Sequence, residues 1–177
     1  MAVTRGRDLA LGCVLALAFV QTMQARADLS RAERKFLEEA AQHSMAEIQA
    51  GRLAGRKATN PQAKQLGQQV AEDQEKSYAE VVQLAKAKSI GLPMQPDKDE
   101  AGRTAKLEKL SGPEFDRKFV DTVVRDHEDE VKAFQKMAKN ARDPDVRAYA
   151  GKTLPTLVGH LQMARQVAGA RVTSSRR

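Results

Sequence analysis

The chain has 177 residues and a formal net charge of +7, with a single cysteine, no tryptophan and two tyrosines. Its charges are interspersed and its aromatics few, so it lacks the basic, aromatic-laced face that nucleic-acid binding calls for, and no nucleic-acid partner is expected. One cysteine excludes any disulfide within the chain.

Residues 1–27 read as a cleaved secretory signal peptide. Arg5 and Arg7 precede an apolar run from Leu9 to Val20, and the stretch closes on Ala25-Arg26-Ala27. That places small residues three and one before a cut between Ala27 and Asp28, and the expected location is the periplasm or the exterior. Ala10-Leu11-Gly12-Cys13 is not a lipoprotein acylation site, because most of the apolar run follows the cysteine. Cleavage removes Cys13, and with it thiol chemistry and thiolate metal ligation. Setting aside Arg5, Arg7, Asp8 and Arg26 leaves a net charge of +5. No later segment is long and apolar enough to span a bilayer, and no alternating strands of about ten residues suggest a barrel. The mature chain is therefore not expected to be an integral membrane protein.

Residues 28–169 read as one helical domain, rich in Ala, Glu, Lys, Gln and Leu with apolar residues at three- and four-residue steps. Helix 1 starts at the capping box Ser30-x-x-Glu33 and runs to about Lys57. Asn60 caps helix 2 and Pro61 fits its first position; Gly91 and Pro93 stop it after about Ser89. Residues 90–112 are broken by Gly91, Pro93, Pro96, Gly102 and Gly112, with a short helical turn over Ala105–Leu110. Helix 3 runs from Ser111-Gly112-Pro113 to about Lys139. Helix 4 restarts at Asp143-Pro144 and runs to about Ala168, with a kink expected at Pro155. Residues 170–177 read as a disordered basic tail. Short links make helices 1–2 and 3–4 antiparallel pairs. The long 2–3 link can reach roughly 75 Å extended, beyond the roughly 40 Å of a 27-residue helix. The spacing thus predicts an all-α, four-helix up-down-down-up ferritin-like bundle with a long crossover between helices 2 and 3.

Mapped at about 100° per residue, each helix carries an apolar arc, and each arc is interrupted near mid-length by polar side chains. Glu47 interrupts the first, Gln74 the second, His127 and Glu130 the third and His160 the fourth; His43, Asp73 and Asp126 lie at the edges. Midpoints of similar helices share one layer, so a polar layer should cross the core. Of Arg125 to Glu130, only His127 and Glu130 turn inward. The preferred reading is a layer that satisfies its own hydrogen bonds, since buried His and Glu left bare cost several kcal/mol. On this reading His160→Ala costs more stability than His43→Ala, with His43 a boundary residue and Tyr78 and Tyr149 core-edge residues with wet hydroxyls. The alternative is a metal site of Glu47, Asp73, His127, Glu130 and His160, suited to iron, zinc or manganese. Against it, the Glu-x-x-His pair of di-iron bundles is absent, and His127-x-x-Glu130 runs in reverse. Gly51 and Gly55 give helix 1 a small-residue face for close packing. No nucleophile–base pair, phosphate loop or Ser-His-Asp set is present, so no catalytic residues are assigned.

Ala41-Gln42-His43-Ser44-Met45-Ala46-Glu47-Ile48, Leu53-Ala54 and Ala71-Glu72-Asp73-Gln74 resemble the first half of the bacterial domain of unknown function 4142 family. Ser111-Gly112-Pro113-Glu114-Phe115-Asp116, Asp126-His127, Thr153-Leu154-Pro155 and His160-Leu161 resemble its second half. The resemblance covers about residues 30–168 and implies an exported ferritin-like helical bundle. Where the family commonly has Asp-His on helix 2, this chain has Asp73-Gln74, which removes one ligand if that layer binds metal in relatives. The expected role is a non-catalytic binding or stress-related accessory protein with an unidentified envelope partner. The alternatives are a metal-binding bundle and an envelope or polyanion binder acting through the basic surface.

Overall fold

The computed structural model describes residues 28–174, and side chains through Ala170; the segment read as a signal peptide and the last three residues of the tail lie outside it. The described residues are all-α and form five helices: α1 (Arg31–Lys57), α2 (Pro61–Ala87), α3 (Lys98–Glu108), α4 (Gly112–Asn140) and α5 (Pro144–Ser174). No helix among them is long and apolar enough to cross a membrane.

Local chemistry sets the helix ends. Ser30 and Glu33 form the expected capping box. Asn60 Oδ1 accepts from the backbone N–H of Gln62 (2.8 Å) and Ala63 (3.1 Å). α2 stops at Ala87, short of the expected Ser89, because Ser89 adopts a left-handed φ of 57°. The chain then folds back, and Ile90 N–H donates to Ala85 O at 2.9 Å, closing the helix before Gly91 is reached. Between α2 and α4, the expected short turn is a full helix, α3. It is started by a second capping box, Asp97-x-x-Glu100, that the sequence reading passed over. α5 continues through Pro155 and runs on to Ser174, past the expected end at Ala168.

The apolar core is in two parts. One is built around Phe36, Leu37, Val81, Phe134, Val146 and Leu157. The other is built around Leu53, Leu66, Leu107, Phe115, Phe119 and Val120. Between them on the four long helices lie buried polar side chains, among them Ser44, Glu47, Gln74, His127, Glu130 and His160. The polar layer read from the arcs is present. Tyr149 departs from its reading: its ring is buried and its hydroxyl lies 3.0 Å from Ser77 Oγ instead of in water.

Each helical hairpin holds the turn of the other with a buried carboxylate. Glu33 of α1 accepts from the backbone N–H of Arg142 (2.7 Å) and Asp143 (2.8 Å) in the α4–α5 turn. Asp116 of α4 accepts from Thr59 N–H (3.0 Å), the Thr59 hydroxyl and Asn60 N–H (2.8 Å) in the α1–α2 turn. At the Glu33 end, Lys88, just past α2, bonds Asp143 at 2.6 Å and Asp145 at 2.7 Å. Nearer the α1–α2 turn, Gly51 and Gly67 let α1 and α2 approach closely. A Cβ on Gly67 would fall 2.5 Å from that of Ala54 and 2.9 Å from Gly51 O. Gly55, assigned to the same face by sequence, has more room, with Gln68 3.7 Å away.

Burial pushes the Glu33 carboxyl up, but hydrogen bonds from the Ser30 hydroxyl and the Asp143, Ser30 and Arg142 backbones outweigh it and hold it below 4.5. A depressed carboxyl stabilises the fold above its unfolded value and loses that contribution as pH falls through its folded value. Glu33→Ala and Asp116→Ala should each cost about 2–3 kcal/mol near neutrality, because both leave buried N–H groups bare. Exposed Glu39→Ala should cost no more than about 0.5 kcal/mol. Denaturant melts check the ranking, and the Glu33→Ala deficit should shrink below pH 4; equal losses for all three would contradict the clamp.

Candidate metal centre in the bundle waist

Glu47 of α1 and His127 and Glu130 of α4 converge in the polar waist. All three are buried, and each offers a ligand atom within 4.8 Å of the others. The His127 ring is fully enclosed. Helical spacing turns His127 and Glu130, three residues apart, to one face, and α1 brings Glu47 against them. Gln74 of α2 donates to Glu47 Oε2, and Gln74 Oε1 in turn accepts from the Ser44 hydroxyl at 2.9 Å. Gln74 thus orients a carboxylate.

That leaves Glu47 Oε1 facing His127 Nδ1 at 2.9 Å. The two do not form an aligned hydrogen bond, because the Nδ1–H points along the helix to Val123 O at 3.1 Å. Glu47 Oε1 and Glu130 Oε2 are both buried without a hydrogen-bond partner. A layer that fully satisfies itself was the preferred sequence reading, and on these two oxygens the structure departs from it.

His160 and Asp73, read from sequence as ligands of the same metal, stand one step behind. His160 Nδ1 lies 3.2 Å from His127 Nε2, with the rings edge-on at 5.2 Å. His160 Nε2 lies 3.1 Å from Asp73 Oδ2. His160 is buried as expected, but its partners are His127 and Asp73 instead of Glu47 and Glu130. His43 is more than a boundary residue. It pairs with Glu100 of α3, whose side chain is 2% exposed against 36% for His43. Glu100 was not singled out from sequence, although its place in the Asp97 capping box marks it. A cavity of about 20 Å³ lies between α1, α3 and α4, with Glu47, His43, Glu100, Arg103 and Asp126 in its wall. It has room for about one water-sized group.

The electrostatics follow from burial and crowding. Burial raises the Glu47 carboxyl, but the His127 charge 2.9 Å away, with the His160 and His43 charges behind it, more than offsets it, so Glu47 stays below the usual range. Burial and the Glu47 charge push Glu130 up to about 8, leaving it a neutral acid at pH 7. Burial works against protonation of His127, but Glu47 prevails and raises it to about 9. His160 is lowered by burial and by the neighbouring His127 charge. Two carboxyls and an imidazole in a buried space thus hold one anion, one cation and one proton that keeps the second carboxyl neutral.

Burial lowers His43, but the hydrogen bond it donates to Glu100 and the charges of nearby carboxylates raise it to about 9 from 6.5. A raised histidine stabilises the fold fully below its unfolded value and loses that contribution as pH climbs through its folded one. A double-mutant cycle of His43→Ala and Glu100→Gln should give a coupling of about 1 kcal/mol at pH 6, modest because His43 is part-solvated. The coupling should fade between pH 6.5 and 10. A cycle with no coupling at pH 6 would return His43 to a boundary role.

No curated protein matches the chain in sequence. Among solved structures it is similar in fold to a DUF305 fragment from Deinococcus radiodurans, with TM-score 0.71 and 16% identity over 81% of this chain and 99% of that one. It is also similar to a DUF305 protein from Streptomyces coelicolor, with TM-score 0.66 and 10% identity over 79% and 93% of the two chains. CopM in its Cu(I)-bound form matches with TM-score 0.62 and 18% identity over 76% and 93%. At these identities the likeness is one of fold. In sequence, residues 18–167 match the domain of unknown function DUF4142, nearly the whole chain, and the protein belongs to that family.

Proposed function

We propose that this protein is an exported, non-catalytic binding protein that holds a divalent transition-metal ion in the waist of its helical bundle, through Glu47, His127 and Glu130. The observation that carries this reading is the pair of buried carboxyl oxygens, Glu47 Oε1 and Glu130 Oε2, that lack a hydrogen-bond partner and converge with an imidazole. A purely structural layer has no reason to leave acceptors bare at a cost of about 1–3 kcal/mol each. Two carboxylates and a neutral imidazole also balance a doubly charged cation, which would displace two protons to solvent, the one that keeps Glu130 neutral and the one on His127 Nδ1.

The donor set decides the class of metal. CopM is a Cu(I) protein of similar fold, but Cu(I) favours thiolate and thioether sulfur, and the cluster offers one imidazole and two carboxylates. That set suits zinc, manganese(II) or iron(II). A cation there would supply positive charge and a Lewis-acid centre. Export rests on the layout of residues 1–27.

The end contacts support an up-down-down-up order for α1, α2, α4 and α5. The start of α1, the end of α2 and the α4–α5 turn meet through Glu33, Lys88 and Asp143. The start of α4 meets the α1–α2 turn through Asp116. The segment 88–111, α3 included, then serves as the crossover. A polyanion-binding surface gains less support, since the exposed Arg52, Lys152 and Arg165 are paired with Glu75, Glu80 and Glu128.

Thermal melts with zinc, manganese(II) and iron(II) test the reading. At a hundredfold excess over Kd the preferred cation should stabilise the fold by about 2.7 kcal/mol, raising Tm by about 5–10 °C. The double variant Glu47→Gln/Glu130→Gln should fold and lose that response. A wild-type Tm that none of the three cations moves would contradict it.

A further inference from the structure

His160 and Asp73 are buried or half-buried polar groups that the three-residue cluster does not use. We propose that they act as positioning residues for the metal centre, fixing the proton of His127 on Nε2 so that Nδ1 is the atom presented to a cation. This deepens the metal reading above and rests on it.

The argument runs inward from the surface of α2. Asp73 is ringed by donors: Lys76 Nζ reaches Oδ1 at 2.8 Å, and Gln69 Nε2 reaches Oδ2 at 2.7 Å. It therefore acts as an acceptor, and His160 Nε2, 3.1 Å from Oδ2, must donate to it. A neutral imidazole with its proton on Nε2 carries a lone pair on Nδ1. That lone pair faces His127 Nε2 at 3.2 Å, so His127 Nε2 must hold a proton and donate it.

Once Nε2 is committed, only Nδ1 of His127 can give up its proton and offer a lone pair to a cation, and Nδ1 is the nitrogen beside Glu47 Oε1. Its competing contact is Val123 O, a carbonyl that a cation at Nδ1 would replace as the partner of that nitrogen. The chain Asp73–His160–His127 therefore selects the tautomer and aims the ring, as outer partners of metal-bound histidines do. It also explains why two good ligand types lie close to the cluster without joining it. Each of their nitrogen and oxygen atoms facing inward is already spoken for.

The experiment compares zinc affinity, by competition with a chromogenic chelator, with nitrogen-15 NMR of histidine-labelled protein. Wild type should bind zinc with His127 ligated through Nδ1 and protonated on Nε2. His160→Leu removes the acceptor and should weaken zinc binding ten- to hundredfold. His160→Gln, whose side-chain oxygen can accept from Nε2–H, should retain most of the affinity. Asp73→Ala, at the more accessible end of the chain, leaves the core filled and should mix the His160 tautomers while lowering affinity less. Unchanged affinity in both His160→Leu and Asp73→Ala, or ligation through His127 Nε2 or through His160 itself, would overturn the positioning role while leaving zinc binding in place. A wild type that binds no zinc, manganese(II) or iron(II) would overturn the metal reading and this inference with it.

Discussion

The structure depends on how a dry, narrow space between two apolar halves tolerates Glu47, His127 and Glu130 together. Two carboxylates that close cannot both stay ionised beside a single imidazolium without large desolvation costs. The polypeptide meets the constraint in part. His127 neutralises Glu47, Glu130 is kept protonated, and Gln74 fixes one oxygen of Glu47. The two remaining oxygens are where the protein's own groups run out. An arrangement selected for stability alone would more simply fill such a waist with leucine. Its presence here fits the proposed cation.

The rest of the fold holds this waist rigid. Each hairpin is clamped to the turn of the other by one buried carboxylate, Glu33 at one end and Asp116 at the other. The two clamps sit at opposite ends, so each hairpin is fixed in register against its neighbour. The Gly51–Gly67 approach brings α1 and α2 close just beyond the layer, which lets Gln74 reach across to Glu47. α3 packs on the second apolar half through Leu107 and sends Glu100 to His43 beside the small cavity. The segment between α2 and α4 thus forms part of the wall of the site as well as a connection.

The waist was legible in the sequence because periodicity names the face on which a side chain lies. Glu47, Gln74, His127, Glu130 and His160 all fell inside apolar arcs at mid-length, and all are buried. Periodicity says nothing of reach, which is why Asp73 and His160 were grouped with Glu47, His127 and Glu130 although they stand behind His127. Glu33 and Asp116 illustrate the same limit. Their partners lie 109 and 57 residues away in sequence, and only the assembled hairpins bring them together. α3 was different, since Asp97-x-x-Glu100 announces a helix start, but the surrounding glycines and prolines drew the reading toward loop. The early stop of α2 was hidden too, because a serine and not a glycine takes the left-handed position.

The most direct test of the central claim is X-ray absorption at the zinc edge on the zinc-loaded protein. The account predicts one imidazole nitrogen with carboxylate oxygens at about 2.0–2.2 Å and no sulfur scatterer. A sulfur shell, two or more imidazoles, or the spectrum of a freely hydrated ion would contradict it.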